Sequence, residues 1–255
     1  MWMRIEGFQV TRTHESDHWW FRSRRDLFLL QVERALNASG QRSSRSRPHR
    51  LLDFGCGTGF NLGALSAFGE VYGADRLRPE RERFCLSHQF PIIDAERELE
   101  QYGGAFDVVT ALDVLEHLDD DVGGLVALGK LLAPGGQIVL TVPAYQWLWG
   151  GEDVISEHRR RYTKRNIEDV CRAARFSVEY SSYFNLSILP AMTAVVWGRK
   201  LLSRTREPRS NLSSPPDWLN ELLYTITAFE ATWVGLERVV MPAGASIVCR
   251  IRGSG

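Results

Sequence analysis

The stretch Leu51-Leu52-Asp53-Phe54-Gly55-Cys56-Gly57-Thr58-Gly59 decides the fold. A short apolar strand over residues 51–54 runs directly into a glycine-rich turn, and a helix is predicted over residues 58–68. Glycines let the backbone approach a ligand closely, and the amides at a helix N-terminus are offered to that ligand. The spacing is Gly-x-Gly-x-Gly with Phe60 next, which departs from the Gly-x-Gly-x-x-Gly fingerprint of dinucleotide-binding proteins. Asp53 would repel a diphosphate but tolerate a ligand that carries an ammonium and a sulfonium group.

Around this turn, apolar strands alternate with helical patterns. Further strands are predicted at residues 71–74, 91–93, 106–112 and 137–142, with helices from Pro79 and over 119–132. This alternation indicates a doubly wound, Rossmann-like α/β sheet that is mostly parallel. Beyond it we predict helices at 163–174, 186–203 and 218–239 and strands at 177–184 and 245–251, which would complete a seven-stranded sheet with C-terminal helical additions.

The domain organisation follows from these patterns. Residues 1–48 form a helical N-terminal extension, helical over 14–37, and a polar linker; residues 49–143 form the core; residues 144–255 hold a loop, helical additions and closing strands. The net charge of zero argues against a nucleic-acid partner, since such proteins usually carry a basic excess. The four scattered cysteines and an N-terminus without an apolar signal segment favour a cytoplasmic protein.

From residue 51 to residue 142 the sequence resembles the class I S-adenosylmethionine (SAM)-dependent methyltransferases. The family's first motif is an acidic residue followed by Gly-x-Gly-x-Gly, as in residues 53–59. In the family an acidic residue at the end of the second strand binds both ribose hydroxyls, and Asp75 stands there. Asp94 matches the Asp placed near the adenine amino group. Residues 113–118 (DVLEHL) and 132–136 (LAPGG) match two further hallmarks in the expected order.

The resemblance implies SAM as the cofactor and a binding site assembled from the matching positions. The implied cofactor-binding residues are Asp53, Gly55, Cys56, Gly57, Thr58, Gly59, Asp75, Arg76, Asp94, Ala95, Leu112, Asp113 and His117. Residues 15–22 are similar to an extension of some bacterial members, which adds Trp20 and Arg25. An aromatic helix there could cover the cofactor, with an arginine on its methionine carboxylate. Alternatively, the helix packs on the sheet edge with its arginines in water.

Asp113, Glu116 and His117 raise the question of a metal ion. Some ubiquinone-pathway O-methyltransferases and RNA-end methyltransferases bind a divalent ion with acidic and histidine residues after this strand. One helical segment does not complete a coordination shell, and no further His or Glu cluster is evident nearby. We therefore predict no metal and assign these side chains to capping, hydrogen bonding and cofactor contacts.

The acceptor is expected to bind at residues 145–162, because ligands of this fold lie at the carboxyl ends of the strands. Tyr145, Trp147 and Trp149 could wall an apolar or aromatic acceptor, and Arg161 could fix an anionic part of it. The possible general bases are Glu152, Asp153, Glu157, His158 and Tyr162; His158 is the first candidate, followed by Tyr162 and Glu157. Alternatively, the tryptophans belong to the core and His158 is a structural hydrogen-bond residue.

The function predicted from these features is SAM-dependent methyl transfer to an O, N or C nucleophile of a small molecule with an apolar or aromatic part. One alternative is a lipid-linked or glycan acceptor at the membrane surface. Trp197, Arg199 and Lys200, with the helices over 186–203 and 218–239, would suit peripheral membrane contact. Another alternative is a non-catalytic SAM-fold binding module. The sequence predicts no oligomeric state.

Overall fold

The computed structural model describes residues 5–38, 47–76, 89–202 and 215–253. Its centre is a sheet of seven strands, numbered along the chain, whose order across the sheet is β3-β2-β1-β4-β5-β7-β6. The strands are β1 (Arg50–Phe54), β2 (Glu70–Asp75), β3 (Ile92–Asp94), β4 (Phe106–Leu112), β5 (Leu132–Pro143), β6 (Phe176–Phe184) and β7 (Ser246–Gly253). The helices are α1 (Ile5–His14), α2 (Trp19–Ala38), α3 (Phe60–Leu65), α4 (Asp121–Gly129), α5 (Gly151–Ile155), α6 (Lys164–Ala173), α7 (Leu189–Leu202) and α8 (Asp217–Gly235).

The first five strands pair in parallel, and β7 pairs antiparallel with both β5 and β6. Strand β4 is buried along nearly its whole length, as expected for a strand with helices on both faces of the sheet. Because β1, β2, β4 and β5 run in the same direction, their carboxyl ends meet at one edge of the sheet. The turn after β1 and the loops after β4 and β5 therefore lie side by side.

The N-terminal helix α2 packs against the C-terminal helix α8. Gln31 of α2 donates a hydrogen bond to the Gly235 carbonyl at 3.0 Å, and the Tyr224 hydroxyl donates to Asp26 at 2.9 Å. A Cβ atom on Gly235 would lie 2.6 Å from a Leu30 methyl carbon, so the helices meet closely where a side chain is missing. This pair of helices packs on one face of the sheet, α2 against β1, β4 and β5, and both helices against β6 and β7.

The predicted fold class is confirmed: the structure is a Rossmann-like, mostly parallel seven-stranded sheet with helical additions at both ends. Two details differ from the prediction. The predicted N-terminal helix is preceded by the separate helix α1, and α4 is shorter than predicted because β5 already begins at Leu132, before the Pro-Gly-Gly turn. The helix expected from Pro79 and most of the two expected linkers lie outside the described residues. None of the described helices is long and apolar enough to cross a membrane.

Candidate functional site

The glycine-rich turn after β1 requires glycine at three alternate positions. Gly55, Gly57 and Gly59 have φ angles of 75°, 57° and 78°, a backbone region that other residues rarely adopt. A Cβ atom on Gly55 would also lie 2.6 Å from Cγ2 of Val114. The Gly55 amide donates to the Ala74 carbonyl at 2.7 Å, which joins the turn to the end of β2. The turn thus forms one wall of a cavity at the carboxyl edge of the sheet.

Asp75, at the end of β2, holds the turn in place and also lines the cavity. Its side chain is 7% exposed. One carboxylate oxygen accepts a hydrogen bond from the Gly57 amide at 2.9 Å, and the other accepts from the Arg76 amide at 2.6 Å. The carboxylate therefore stands beside the turn at the position where the sequence predicts a ribose ligand.

Asp53 lies beneath the turn rather than in the cavity wall. Its carboxylate is buried in the sheet and accepts a hydrogen bond from the Thr110 hydroxyl at 2.6 Å. Burial raises the pKa of Asp53 to about 7; the Thr110 hydrogen bond opposes this rise, and the nearby charge of Asp75 adds to it. The folded protein therefore holds a proton on Asp53 at pH values where an unfolded chain would have lost it.

We expect the substitution Asp53→Asn to stabilise the ligand-free protein at pH about 8 by about 2 kcal/mol. A carboxyl whose folded pKa is raised destabilises the folded state above that pKa, and this penalty disappears below the unfolded pKa of about 4. Removing the whole effect of the raised pKa would stabilise the folded state by about 4 kcal/mol. The buried amide N–H groups of Asn lack acceptors, and this cost offsets about half of that gain. Denaturant unfolding at the two pH values measures the difference. A gain of equal size at pH about 4 would contradict this origin.

The N-terminal helices close the cavity over the glycine-rich turn. Glu15, in the turn between α1 and α2, is buried and accepts a hydrogen bond from the Thr58 hydroxyl at 2.6 Å. Burial raises the pKa of Glu15, against the Thr58 hydrogen bond and two nearby arginines. Trp20 and Arg25 of α2 line the cavity, and the Arg25 guanidinium lies 4.9 Å from the centre of the Phe60 ring. The N-terminal extension is therefore part of the site.

Arg24 joins three distant parts of the chain at the cavity wall. Its guanidinium donates to the Ser246 hydroxyl at 2.6 Å and to the Thr141 hydroxyl at 3.1 Å, and it forms a short ion pair with Asp113. Asp113 itself has a φ angle of 55° directly after β4. These contacts fix α2 against the carboxyl ends of β4, β5 and the start of β7.

A polar cluster also lines the cavity. Glu116 and His117 belong to a short 3₁₀ turn after β4, and His158 comes from the loop after β5. The two imidazole rings meet edge to face, 4.8 Å between their centres. Glu116 is fully buried, and neither of its carboxylate oxygens has a hydrogen-bond partner among the described residues. Burial, helped by the charge of Asp113, raises the pKa of Glu116 well above its ordinary value.

Asp153 orients His158. Nδ1 of His158 lies 2.9 Å from an Asp153 oxygen, and Nε2 lies 3.9 Å from Glu116. Arg161 donates twice to Asp153, at 2.7 Å and 3.0 Å. Burial alone would raise the pKa of Asp153, but the bonds to His158 and Arg161 lower it below its ordinary value. Because an anionic Asp153 accepts the Nδ1 proton, the lone pair of the neutral imidazole is on Nε2, toward the cavity.

The structure brings many of the predicted site residues together around one cavity of about 530 Å³, within the usual range for small-molecule sites. The predicted residues that line it are Trp20, Arg25, Gly55, Cys56, Gly57, Thr58, Asp75, Leu112, Asp113, His117, His158 and Arg161. The predicted residues that do not line it in the described structure are Asp53, Gly59, Arg76, Asp94, Ala95, Tyr145, Trp147, Trp149, Glu157 and Tyr162.

The aromatic residues after β5 point away from the cavity. Tyr145 has a φ angle of 56° and stacks on Trp147 and Tyr183, with ring centres 5.2 Å apart in both pairs. The buried Tyr162 donates its hydroxyl proton to Asp121 at 2.9 Å, and burial raises its pKa. Both features make Tyr162 a poor base. The aromatic lining comes instead from the N-terminal extension, through Trp19, Trp20, Phe21 and Phe28, and from Phe60.

Three residues of the site had no predicted role of their own: Glu15 and Arg24 belong to the predicted N-terminal extension, and Asp153 was one of the possible bases after β5. Arg24 stands next to the predicted Arg25, and only the helical phase of α2, which the sequence leaves uncertain, distinguishes the two. Asp153 has a weak sequence signal, since it lies five residues before His158 in the loop where the acceptor is expected. Glu15 carries no signal beyond its position in the extension.

The structure brings together a group of possible metal ligands that the sequence did not reveal. The segment after β4 does not stand alone, because the loop after β5 adds His158 to Glu116 and His117. The nearest ligand-type atoms of these three residues all lie within 4.8 Å of one another, a group that could hold a metal ion. Two imidazoles and one carboxylate would suit a transition metal better than magnesium.

Comparison with known proteins gives one family. The family model described as a methyltransferase domain matches residues 21–181. The ubiquinone biosynthesis O-methyltransferase of Nitrosococcus oceani is 32% identical over 152 residues, which are 53% of this chain and 61% of that protein. The protein of the same description from Pseudomonas aeruginosa is 34% identical over 100 residues, 36% of this chain and 43% of that protein. The chain thus spans about three fifths or less of the length of these relatives.

Solved structures share the fold at low sequence identity. The plantazolicin methyltransferase BamL, solved with a triazolic desmethylPZN analog and SAH, superposes with a TM-score of 0.58 at 13% identity. That match covers 97% of this chain and 89% of the other. A SAM-dependent methyltransferase from Archaeoglobus fulgidus has a TM-score of 0.50 at 17% identity, covering 89% and 93% of the two chains. These similarities establish the fold of the described chain.

Proposed function

Because this chain belongs to the methyltransferase-domain family, we propose that it is an enzyme that transfers a methyl group from SAM to a small-molecule acceptor. One observation carries the proposal: a single cavity extends from the glycine-rich turn and Asp75 to the imidazole of His158. One end therefore offers backbone amides and a carboxylate to a nucleoside, and the other offers a base to an acceptor.

We assign the cofactor to the end of the cavity next to the turn. Gly55 and Gly57 allow close backbone approach there, and the Asp75 carboxylate has the geometry to accept two hydrogen bonds from vicinal hydroxyls. Trp20 and Arg25 would cover this end from α2. Asp53 lies below the turn and has a raised pKa. A bound ammonium group would favour its ionised form, so Asp53 would act on that group through charge rather than through direct contact.

SAM, when bound, supplies a methyl group that its sulfonium makes electrophilic. The protein then has to align the acceptor with that methyl group and exclude water. If the acceptor atom is a hydroxyl oxygen, it forms the new bond to the methyl carbon as the carbon–sulfur bond breaks, and its proton passes to Nε2 of His158. Asp153, whose carboxylate accepts the Nδ1 proton of His158, would stabilise the resulting imidazolium. The two relatives are named O-methyltransferases, which favours a hydroxyl acceptor.

The acceptor is expected to have an apolar part. The cavity is also lined by apolar side chains of α7, of α8 and of the residue just before α7: Ile188, Ala191, Met192, Val195, Val196 and Leu223. Such a lining favours an apolar group over a charged one, because a buried charge without a partner is costly. Arg161, whose donors are engaged by Asp153 and the Ala144 carbonyl, is better explained as a support for His158 than as an anion ligand.

We expect the purified protein to bind SAM and S-adenosylhomocysteine (SAH), and not NAD, in calorimetry. The physical reason is the Gly-x-Gly-x-Gly spacing with two carboxylates close to the turn, Asp53 and Asp75, which disfavour a diphosphate. Mass spectrometry after incubation with SAM and pools of extracted metabolites would identify the acceptor by its gain of one methyl group. Binding of NAD without SAH would refute the proposal, and SAH binding with no methylated product in any pool would favour a non-catalytic binding module.

A lipid-linked or glycan acceptor at the membrane surface is the second candidate. A specific observation favours it: Val195 lines the cavity and is also about half exposed, so the apolar end of the cavity reaches the surface beside α7. An acceptor whose apolar tail is too long for the cavity could leave it there. Comparing water-soluble and detergent-extracted acceptor pools would distinguish the two candidates.

A further inference from the structure

Helix α8 exposes a continuous apolar stripe. At about 100° of rotation per residue, five exposed side chains fall within about 80° of one another around the helix axis. These stripe residues are Trp218, Leu222, Ile226, Phe229 and Trp233. Trp218 and Phe229 are 69% and 67% exposed. Scattered exposed apolar residues are normal, but an aligned set with three large aromatic rings indicates an interaction surface.

The rest of α8 has the composition of an ordinary packed helix. Its buried residues, among them Ala231 and Val234, lie on the opposite side, toward α2. Within Asp217–Gly235, which the structure describes throughout, two acidic residues flank the stripe. Glu221 forms an ion pair with Arg22, and the buried Glu230 accepts hydrogen bonds from the backbone amides of residues 186 and 187. The stripe itself carries no charge over four turns. Its free energy in water is therefore higher than in contact with an apolar environment.

Helix α7 also exposes apolar and basic residues. Trp197 and Leu201 are exposed, and Arg199 and Lys200 lie in the last turn. Both helices border the same cavity, α7 through Val195 and α8 through Leu223. Each of the two helices therefore combines a contribution to the cavity wall with exposed apolar side chains.

We propose that the stripe on α8, together with the exposed end of α7, docks on the surface of a lipid bilayer that contains anionic lipids. Indole rings have an apolar body and a polar N–H, which suits the boundary between headgroups and acyl chains. The basic residues at the end of α7 complement anionic headgroups. This inference extends the second candidate function and names the surface that would bring the cavity to a membrane-held acceptor.

Vesicle binding of the full-length protein tests the proposal. We expect it to sediment with vesicles of phosphatidylcholine and phosphatidylglycerol more strongly than with phosphatidylcholine alone, with a blue shift of tryptophan fluorescence. The double substitution Phe229→Ser and Trp233→Ser should weaken vesicle binding at least about tenfold, because two aromatic side chains no longer leave water. The matched control is Val126→Ser on α4, since Val126 and Trp233 are both 42% exposed. The control should bind vesicles like the wild type.

SAH calorimetry separates this test from that of the proposed function. The stripe residues do not line the cavity in the described structure, so the double variant should keep its SAH affinity. Unchanged vesicle binding by the double variant would overturn the proposal. So would absence of vesicle binding together with a dimer that the double substitution dissociates, since the stripe would then bind a second copy of the chain. Failure of the wild type to bind SAH would refute the proposed function and leave the docking result standing.

Discussion

The substitution His158→Ala is expected to lower the turnover rate about 10²- to 10⁴-fold with an acceptor that reacts through a hydroxyl, the usual contribution of general acid–base catalysis. SAH affinity should hardly change, because the proposed cofactor contacts come from the glycine-rich turn, Asp75 and α2 rather than from His158. The residual rate should rise with pH, since a hydroxyl that ionises by itself no longer needs the base. Steady-state rates across pH, with SAH calorimetry, provide the measurement.

His49→Ala is the matched control, because His49 lies just before β1, at the opposite edge of the sheet. It should retain wild-type turnover. Dialysis against a chelator supplies a second control for His158. Activity lost on chelation and restored by zinc would show that the cluster of Glu116, His117 and His158 holds a metal ion, and His158 would then be a ligand rather than a base. Wild-type turnover in His158→Ala would exclude both roles.

The substitution Asp75→Asn is expected to weaken SAH binding about 10- to 150-fold, the range for hydrogen bonds to a charged group. Asparagine is chosen because the Asp75 carboxylate also accepts the Gly57 and Arg76 amides. An amide oxygen can still accept one of these bonds, so the turn should keep most of its support while the second acceptor is lost. Calorimetry with SAH measures the change.

Glu70→Gln is the control for Asp75→Asn, since Glu70 is exposed at the other end of the same strand. It should bind SAH like the wild type. Unfolding curves of both variants would reveal any loosening of the turn. Unchanged SAH affinity in Asp75→Asn would mean that Asp75 supports the turn without contacting the nucleoside.

The parts of the fold that could be predicted are those with strong local patterns. Strand β4 is a mainly apolar run (FDVVTAL), and its bounds match the prediction. The glycine-rich turn after β1 is also local, because the residues that need a positive φ are themselves glycines. By contrast, no local signal places β7 between β5 and β6, since strand order depends on pairings between distant segments.

The same distinction applies to the site. Gly57 and Asp75 could be predicted because a motif carries them, and His158 because its residue type and loop narrow the choice. The ion pair of Arg24 with Asp113 spans 89 residues, and its hydrogen bond to Ser246 spans 222 residues. Tyr145 was predicted to face the acceptor, but its left-handed backbone aims the ring at Tyr183. The direction of a side chain depends on the backbone angles of its residue, and no sequence pattern predicts a positive φ at a tyrosine.

The position of β7 has a consequence for synthesis on the ribosome. Strands β5 and β6 are both made before the strand that joins them, so each carries an edge of unpaired backbone groups until residues 246–253 emerge. The hydrogen bond from Arg24 to the Ser246 hydroxyl likewise cannot form until Ser246 has been translated. A nascent chain that ends after β6 thus has its glycine-rich turn but an unfinished sheet and an open cavity wall. Such a chain depends on protection from aggregation until β7 is translated.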